Sequence, residues 1–157
     1  MEQKIKGSTA ALAKVLSHLR AKGKRIVFTN GCFDILHVGH VEYLKKARTL
    51  GDILVVGLNS DRSVRRLKGH GRPINKEGDR AKVLASLYFV DYITVFDELT
   101  PEKLIRALRP DILAKGGDWK AKEIIGARFV KSYDGRVAII PFVKGYSTTS
   151  LIKRLGR

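Results

Sequence analysis

Cysteine is almost missing from this sequence. Cys32 stands alone among 157 residues, so no internal disulfide can form and a reducing compartment is expected. No apolar run is long enough to cross a bilayer, and none follows Met1 in the manner of a signal peptide. A cytoplasmic protein without membrane association is therefore expected. Acidic residues are scarce: 15 Asp and Glu face 31 Lys and Arg, a formal charge of +16. That excess favours polyanionic partners and speeds their association. The basic residues do not gather in one tail, and aromatics do not alternate with them as on a single-strand nucleic-acid platform. Nucleic acid is thus not the expected partner, and nucleotides or sugar phosphates satisfy the charge equally well. No second histidine-rich or acidic cluster accompanies the few potential ligands, so no metal-ligating residue is assigned.

What the chain does contain is a regular alternation of apolar runs and helical stripes. Ser8 is placed to cap a helix running to about Lys22, with Leu12, Val15, Leu16 and Leu19 as its apolar face. Strands are expected at Arg25 to Thr29, Ile53 to Leu58, Tyr92 to Phe96, Asp111 to Lys115 and Arg136 to Ile140. Helices are expected after the histidines at 37 and 40, from Lys76 to Phe89, after Thr100-Pro101, from Trp119 to Lys131, and from Ser147 through Leu151, Ile152 and Leu155. Thr100 should cap its helix with Pro101 at the first helical position, and Pro110 should stop it. Asn59 to Asn75, polar, basic and glycine-containing, is read as a functional loop or lid. This alternation implies an α/β fold: a Rossmann-like, doubly wound, parallel five-stranded sheet with helices on both faces. Residues 1–157 are expected to form one domain, with the helical segment 1–24 packed on it.

The most informative stretch is Gly31-Cys-Phe-Asp-Ile-Leu-His37-Val-Gly-His40. It lies where a strand, ended by the turn chemistry of Asn30-Gly31, hands over to a helix. A helix N-terminus offers unpaired N–H groups and partial positive charge to an anion. His37 and His40, three residues apart on the first turn, can both point at one anion. Gly39 between them leaves room for a polyphosphate to approach the backbone. A His-x-x-His pair can also bind metal, but helical zinc pairs more often sit four apart. With strand order 3-2-1-4-5, ligands bind at the carboxyl edge between strands one and four, where the winding reverses. The segments leaving that edge are Asn30 to His40 and Lys115 to Asp118, with Ser147-Thr148-Thr149 at the start of the last helix nearby.

GCFDILHVGH resembles the nucleotide-binding signature of the cytidylyltransferase-like nucleotidyltransferases. The longer pieces TNGCFDILHVGHVEYLKKAR, LNSDRSVRRLKGHGRPIN, LAKGGDW and GYSTTSLI are similar to the D-glycero-β-D-manno-heptose 1-phosphate adenylyltransferases. That resemblance implies transfer of AMP from ATP to a heptose 1-phosphate, giving ADP-heptose and pyrophosphate, with Mg²⁺ carried by ATP. It implies His37, His40 and Lys68 as catalytic residues. It implies Gly31, Cys32, Phe33, Gly39, Lys115, Gly116, Gly117, Asp118, Ser147, Thr148 and Thr149 as nucleotide-binding, and Arg72 and Arg80 as substrate-phosphate or lid residues. A homodimer is implied as well.

Several readings stay open beside it. Asp34 is expected to brace the turn rather than do chemistry, and Cys32 to be a small buried packing residue. Asp118 either lines the crevice or caps the next helix, and Trp119 either packs as core or shields the base. Related cytidylyltransferases carry an arginine before their Ser-Thr-Thr. Phe142 takes that position here, with Lys144 the nearest cation, which weakens a CTP reading. The competing functions are a cytidylyl- or adenylyltransferase for another polyol phosphate, such as glycerol 3-phosphate, and a basic, non-catalytic nucleotide- or RNA-binding module. A class I aminoacyl-tRNA synthetase fragment ranks last, since no Lys-Met-Ser-Lys-Ser-like segment is present.

Overall fold

Three aspartates, each just ahead of a strand, fix the sheet of this computed structural model at its amino edge. Asp52 accepts from the Arg25 N–H at 2.8 Å, Asp111 from Ile26 at 2.7 Å, and Asp91 from Leu54 at 2.7 Å. Each carboxylate so satisfies a backbone donor at the start of a neighbouring strand, which helps to set register there. The structure describes residues 2–117, 123–141, 145–154 and 156.

The strands are β1 (Ile26–Gly31), β2 (Ile53–Asn59), β3 (Tyr92–Phe96), β4 (Ile112–Gly116) and β5 (Arg136–Ile140). All pair in parallel in the order β3-β2-β1-β4-β5, the expected doubly wound arrangement. The helices are α1 (Thr9–Ala21), α2 (Val38–Arg48), α3 (Asp61–Lys68), α4 (Glu77–Ser86), α5 (Glu102–Leu108), α6 (Ala127–Lys131) and α7 (Thr148–Arg154). Alternate residues of the central strands feed two cores. Val27, Leu54, Val56 and Leu58 pack with Leu44 of α2 and Leu84 of α4. Phe28 and Val55 pack with Leu12 and Leu16 of α1 and with Leu104, Ile105 and Leu108 of α5. Each fully buried leucine contributes roughly 1.5–3 kcal/mol, and burial on both faces explains why these strands read as continuous apolar runs. Among the described residues no helix is long and apolar enough to cross a membrane.

Several local expectations change. β1 runs through Asn30 and Gly31, which pair with Gly57 and Leu58, so the turn falls at Cys32-Phe33 instead. The first half of the expected loop at 59–75 is α3. The Ser60 hydroxyl caps it by accepting from the Ser63 N–H at 3.0 Å, and only Ser63 and Val64 are buried. So narrow a buried stripe leaves no readable apolar period. α5 starts one residue later than Thr100-Pro101 implied: Pro101 is its N-cap and no side chain caps it. Of the expected 119–131 helix, the described residues show only α6. Gly126 precedes it with φ 86°, a left-handed conformation that a helix interior excludes, and a Cβ there would meet Ile105 Cδ1 at 2.7 Å. α4 ends at Ser86, and Val83 faces solvent. α7 buries no residue, Leu151 and Ile152 being only half-buried, and Leu155 lies outside the described residues.

Candidate active site

The turn after β1 is built around the ring of Phe33. Phe33 adopts φ 44°, a conformation non-glycine residues rarely take, and is buried. Its ring folds back over Gly31, where a Cβ would lie 2.9 Å from the ring, so any side chain at 31 would displace it. The same ring meets His40 edge-on, with centroids 5.1 Å apart. His37 is the N-cap of α2: its Nδ1 accepts from the His40 N–H, a long bond at 3.4 Å. The two imidazoles stack at 3.8 Å and 19°. Gly39 is needed for that stack, because a Cβ would lie 3.1 Å from the His37 ring and 3.2 Å from Tyr146 Cβ. A side chain at position 39 would thus press on both groups.

His40 Nδ1 is buried without a hydrogen-bond partner among the described residues. Burial first, and the His37 charge second, lower its pKa to about 4, with the Ile35 backbone pulling the other way. Burial also lowers that of His37. At neutral pH both rings are neutral, each with one N–H to give. The unfolded chain binds the His40 proton more readily, so this residue's contribution is present above pH 6.5 and is lost as pH falls through about 4. Urea unfolding of wild type should therefore lose more stability between pH 7 and pH 4 than that of His40→Gln. Equal losses would contradict the assigned ionisation.

Beside the histidines lies a concentration of positive charge. Lys115, near the end of β4, donates to Asn30 Oδ1 at 3.0 Å, bridging the two strands at which the winding reverses. Burial lowers the pKa of its amine. Burial raises that of the half-buried Cys32 thiol, against the opposing pull of Lys68, Arg80 and Arg72. Lys68, the last residue of α3, is exposed and near enough for its charge to be felt at Cys32. A thiol kept protonated is a poor nucleophile. Cys32→Ser should retain wild-type turnover within about threefold, as expected of a site without covalent catalysis. Loss of turnover in a folded Cys32→Ser protein would give the thiol a chemical role.

The two arginines expected to face substrate phosphate face inward. Arg80 is 2% exposed: Nη1 donates to the Cys32 carbonyl at 2.5 Å, Nε to the Asn75 carbonyl at 3.0 Å, and Nη2 to Asp61 Oδ1 at 2.8 Å. Arg72 Nε donates to Asp34 Oδ2 at 2.5 Å. In this structure both act as internal braces. Asp34 is the hub of this network. Its Oδ1 also accepts from the N–H groups of Ile74 at 2.8 Å and Asn75 at 3.0 Å, and its carbonyl from Asn75 Nδ2 at 2.6 Å. Asn75 and Asp61 carry no local mark, since their partners Asp34 and Arg80 lie 41 and 19 residues away.

The remaining segments reach the same edge. Gly116 ends β4, and Gly117, with φ 106°, donates to the Ile140 carbonyl at 3.0 Å. Asp118, Trp119, Phe142 and Lys144 lie outside the described residues. Ser147 and Ser150 cap α7 reciprocally: Ser147 Oγ accepts from the Ser150 N–H at 3.0 Å and Ser150 Oγ from the Ser147 N–H at 3.3 Å. Thr148 and Thr149 open that helix, and the Tyr146–Gly39 approach sets it beside the histidines. Lys115, Gly31, Cys32, Phe33, the histidines and the start of α7 are therefore neighbours, as the topology required.

Residues 28–154 match the model of the cytidylyltransferase-like family. The chain is 56% identical over 154 residues to the bifunctional protein HldE of Pelobacter propionicus, covering 98% of this chain and 31% of that protein. Against the same-named protein of Campylobacter concisus it is 57% identical over 155 residues, again covering 98% and 31%. The chain thus spans under a third of the length of these curated relatives. Among solved structures, a lipopolysaccharide core biosynthesis protein from Thermoplasma volcanium superposes with TM-score 0.62 at 31% identity, covering 80% of this chain and all of that one. A pantoate-beta-alanine ligase from Francisella tularensis, at TM-score 0.61 and 17% identity, shares the fold, covering 94% of this chain and 75% of its own. On this evidence the chain belongs to the cytidylyltransferase-like family and is a nucleotidyltransferase.

Proposed function

We propose that the chain transfers AMP from ATP to D-glycero-β-D-manno-heptose 1-phosphate, releasing pyrophosphate and forming ADP-heptose. What carries this reading is the stacked His37/His40 pair, its buried nitrogen unpaired, at the head of α2 beside the β1–β4 crossover. The acceptor follows from the motif resemblance and is supported by the lipopolysaccharide core biosynthesis protein among the structural neighbours.

A sugar phosphate oxygen is already ionised at neutral pH, so no general base is required. It attacks the α-phosphorus of ATP, and the bond from that phosphorus to the bridging oxygen of the pyrophosphate breaks. The barrier is the approach of two anions and the charge developing on the leaving group, so positioning and electrostatics supply most of the acceleration. His37 and His40, neutral and each bearing one N–H, donate to phosphate oxygens as that charge grows. Lys68 and Lys115 offset the anionic charge from either side of the turn, and the first-turn N–H groups of α2 receive what remains. ATP arrives with Mg²⁺ on its phosphates. No group of three His, Cys, Asp or Glu side chains among the described residues is placed to hold a metal, and Asp34 and Asp61 are already bound to arginines. In this reading the ion enters as part of the substrate.

The test is pyrophosphate release with ATP or CTP and Mg²⁺, each paired with β-heptose 1-phosphate, its α anomer or glycerol 3-phosphate. Turnover confined to ATP with the β anomer is expected. Turnover with CTP and glycerol 3-phosphate would replace the acceptor and the nucleotide. Silence throughout, joined to salt-dependent RNA binding, would favour the binding module.

A further inference from the structure

We propose that Arg80 is a positioning residue: from inside the protein its guanidinium sets the distance between the nucleotide-binding turn after β1 and α3, and so fixes where Lys68 stands. The inference rests on the nucleotidyl-transfer reading above and adds to it how Lys68 is held.

The geometry is a three-way tie. One planar group, 2% exposed on α4, holds the Cys32 carbonyl with Nη1, the Asp61 carboxylate with Nη2 and the Asn75 carbonyl with Nε. Cys32 belongs to the turn that meets the nucleotide, and Asp61 is the first residue of α3. The Asp61 N–H is held in addition by Glu77, the first residue of α4, at 2.7 Å. α3 is therefore anchored to α4 at its N-terminus by both side chain and backbone. Seven residues further, at a rise of about 1.5 Å each, Lys68 stands roughly 10 Å along a stiff axis. α3 is also held on its other side, by Ser63 Oγ donating to the Glu98 carbonyl at 2.9 Å, whereas a Cβ added at Gly69 or Gly71, past its end, would meet nothing within 4 Å. The spacing of α3, and with it Lys68, from the turn after β1 is thus set at the Asp61 end, through Arg80. A guanidinium can do this because its donors have fixed angles, whereas a lysine amine keeps the charge without the fork. The charges of both Lys68 and Arg80 act on the Cys32 thiol, in keeping with that arrangement.

A purely architectural Arg80 would damage the enzyme whether or not Lys68 is present, so a double-mutant cycle separates the two roles. Wild type, Arg80→Lys, Lys68→Met and the double variant are compared for ATP affinity by calorimetry and for kcat/KM by pyrophosphate release. Arg80→Lys alone should lower kcat/KM by about tenfold or more, the scale of a 1 Å misplacement. In the Lys68→Met background the same change should cost less than about twofold. If the two losses multiply, Arg80 does not act through Lys68 and the proposal is overturned. Should Arg80→Lys fail to fold, Asp61→Asn serves in its place, since it weakens one arm of the tie and leaves those to Cys32 and Asn75. The same coupling is expected, and independence would overturn the proposal again. If wild type binds ATP but turns over none of the acceptors offered, the transfer reading fails while the cycle, read on ATP affinity, still decides for or against Arg80.

Discussion

Alanine at His40 should lower kcat/KM by about 10²- to 10³-fold, the usual loss when one preorganised donor to a developing oxyanion is removed. Its effect on stability should be near zero or favourable. The buried Nδ1 has no partner among the described residues, and such an atom is a standing cost to the fold. Removing the ring trades lost packing against Phe33 and His37 for relief of that cost, so the melting temperature should stay within about 2 °C of wild type. A residue that destabilises the free protein while serving the reaction is what a preorganised site predicts. His37→Ala should be similarly inactive but slightly less stable, because the ring also caps α2 through a long, weak bond. The double variant should be little worse than either single one, since stacked rings serving one phosphate chain act as a unit. Steady-state kinetics beside thermal melts of the three variants decide this. Full activity in either single variant would remove the histidines from the mechanism.

How far the sequence spoke for itself depended on the range of the interaction concerned. Strands β3 and β5 were readable to the residue, because each is a short apolar run with polar punctuation. The doubly wound order then placed Lys115 and His37 at one edge before any coordinate was known. α3 was hidden because only Ser63 and Val64 of its eight residues are buried, and its arginines and flanking glycines read as a loop. The internal bonds of Arg72 and Arg80 were hidden for a related reason. Charge composition tells that an arginine is present, not that an aspartate 38 residues away in sequence or a carbonyl 48 residues away will turn it inward. Gly39 illustrates the same limit: a glycine signals close approach, and only the fold tells that the approaching groups are His37 and Tyr146.

Asp34 is where the largest loss of stability should fall. Its side chain is 1% exposed and takes three bonds, from Arg72 Nε and from the Ile74 and Asn75 N–H groups. Burial by itself would raise its pKa, but the Asn75 and Ile74 amides and Arg72 together outweigh that and hold it below the ordinary carboxylate value. Asp34→Ala strands all three donors, among them a guanidinium whose side chain is only 17% exposed. Breaking such a pair from one side typically costs about 3–5 kcal/mol, on the order of 10 °C in melting temperature for a chain of this size. Arg72→Ala should cost less, because the carboxylate keeps two backbone partners. The sign with pH is fixed by the depressed pKa. The contribution is complete above the unfolded value near 4 and disappears as pH falls through the folded one. Wild type should therefore lose its advantage over Asp34→Ala in strong acid, and His40→Gln should leave that part of the profile unchanged. Asp34→Asn, which keeps the shape and loses the charge, should fall between the two. Because this carboxylate ties the segment 72–75 to the turn that precedes the histidines, what the variant loses in activity should accompany what it loses in fold, unlike His40→Ala. An Asp34→Ala protein melting within about 2 °C of wild type would show that the brace is not what holds the turn.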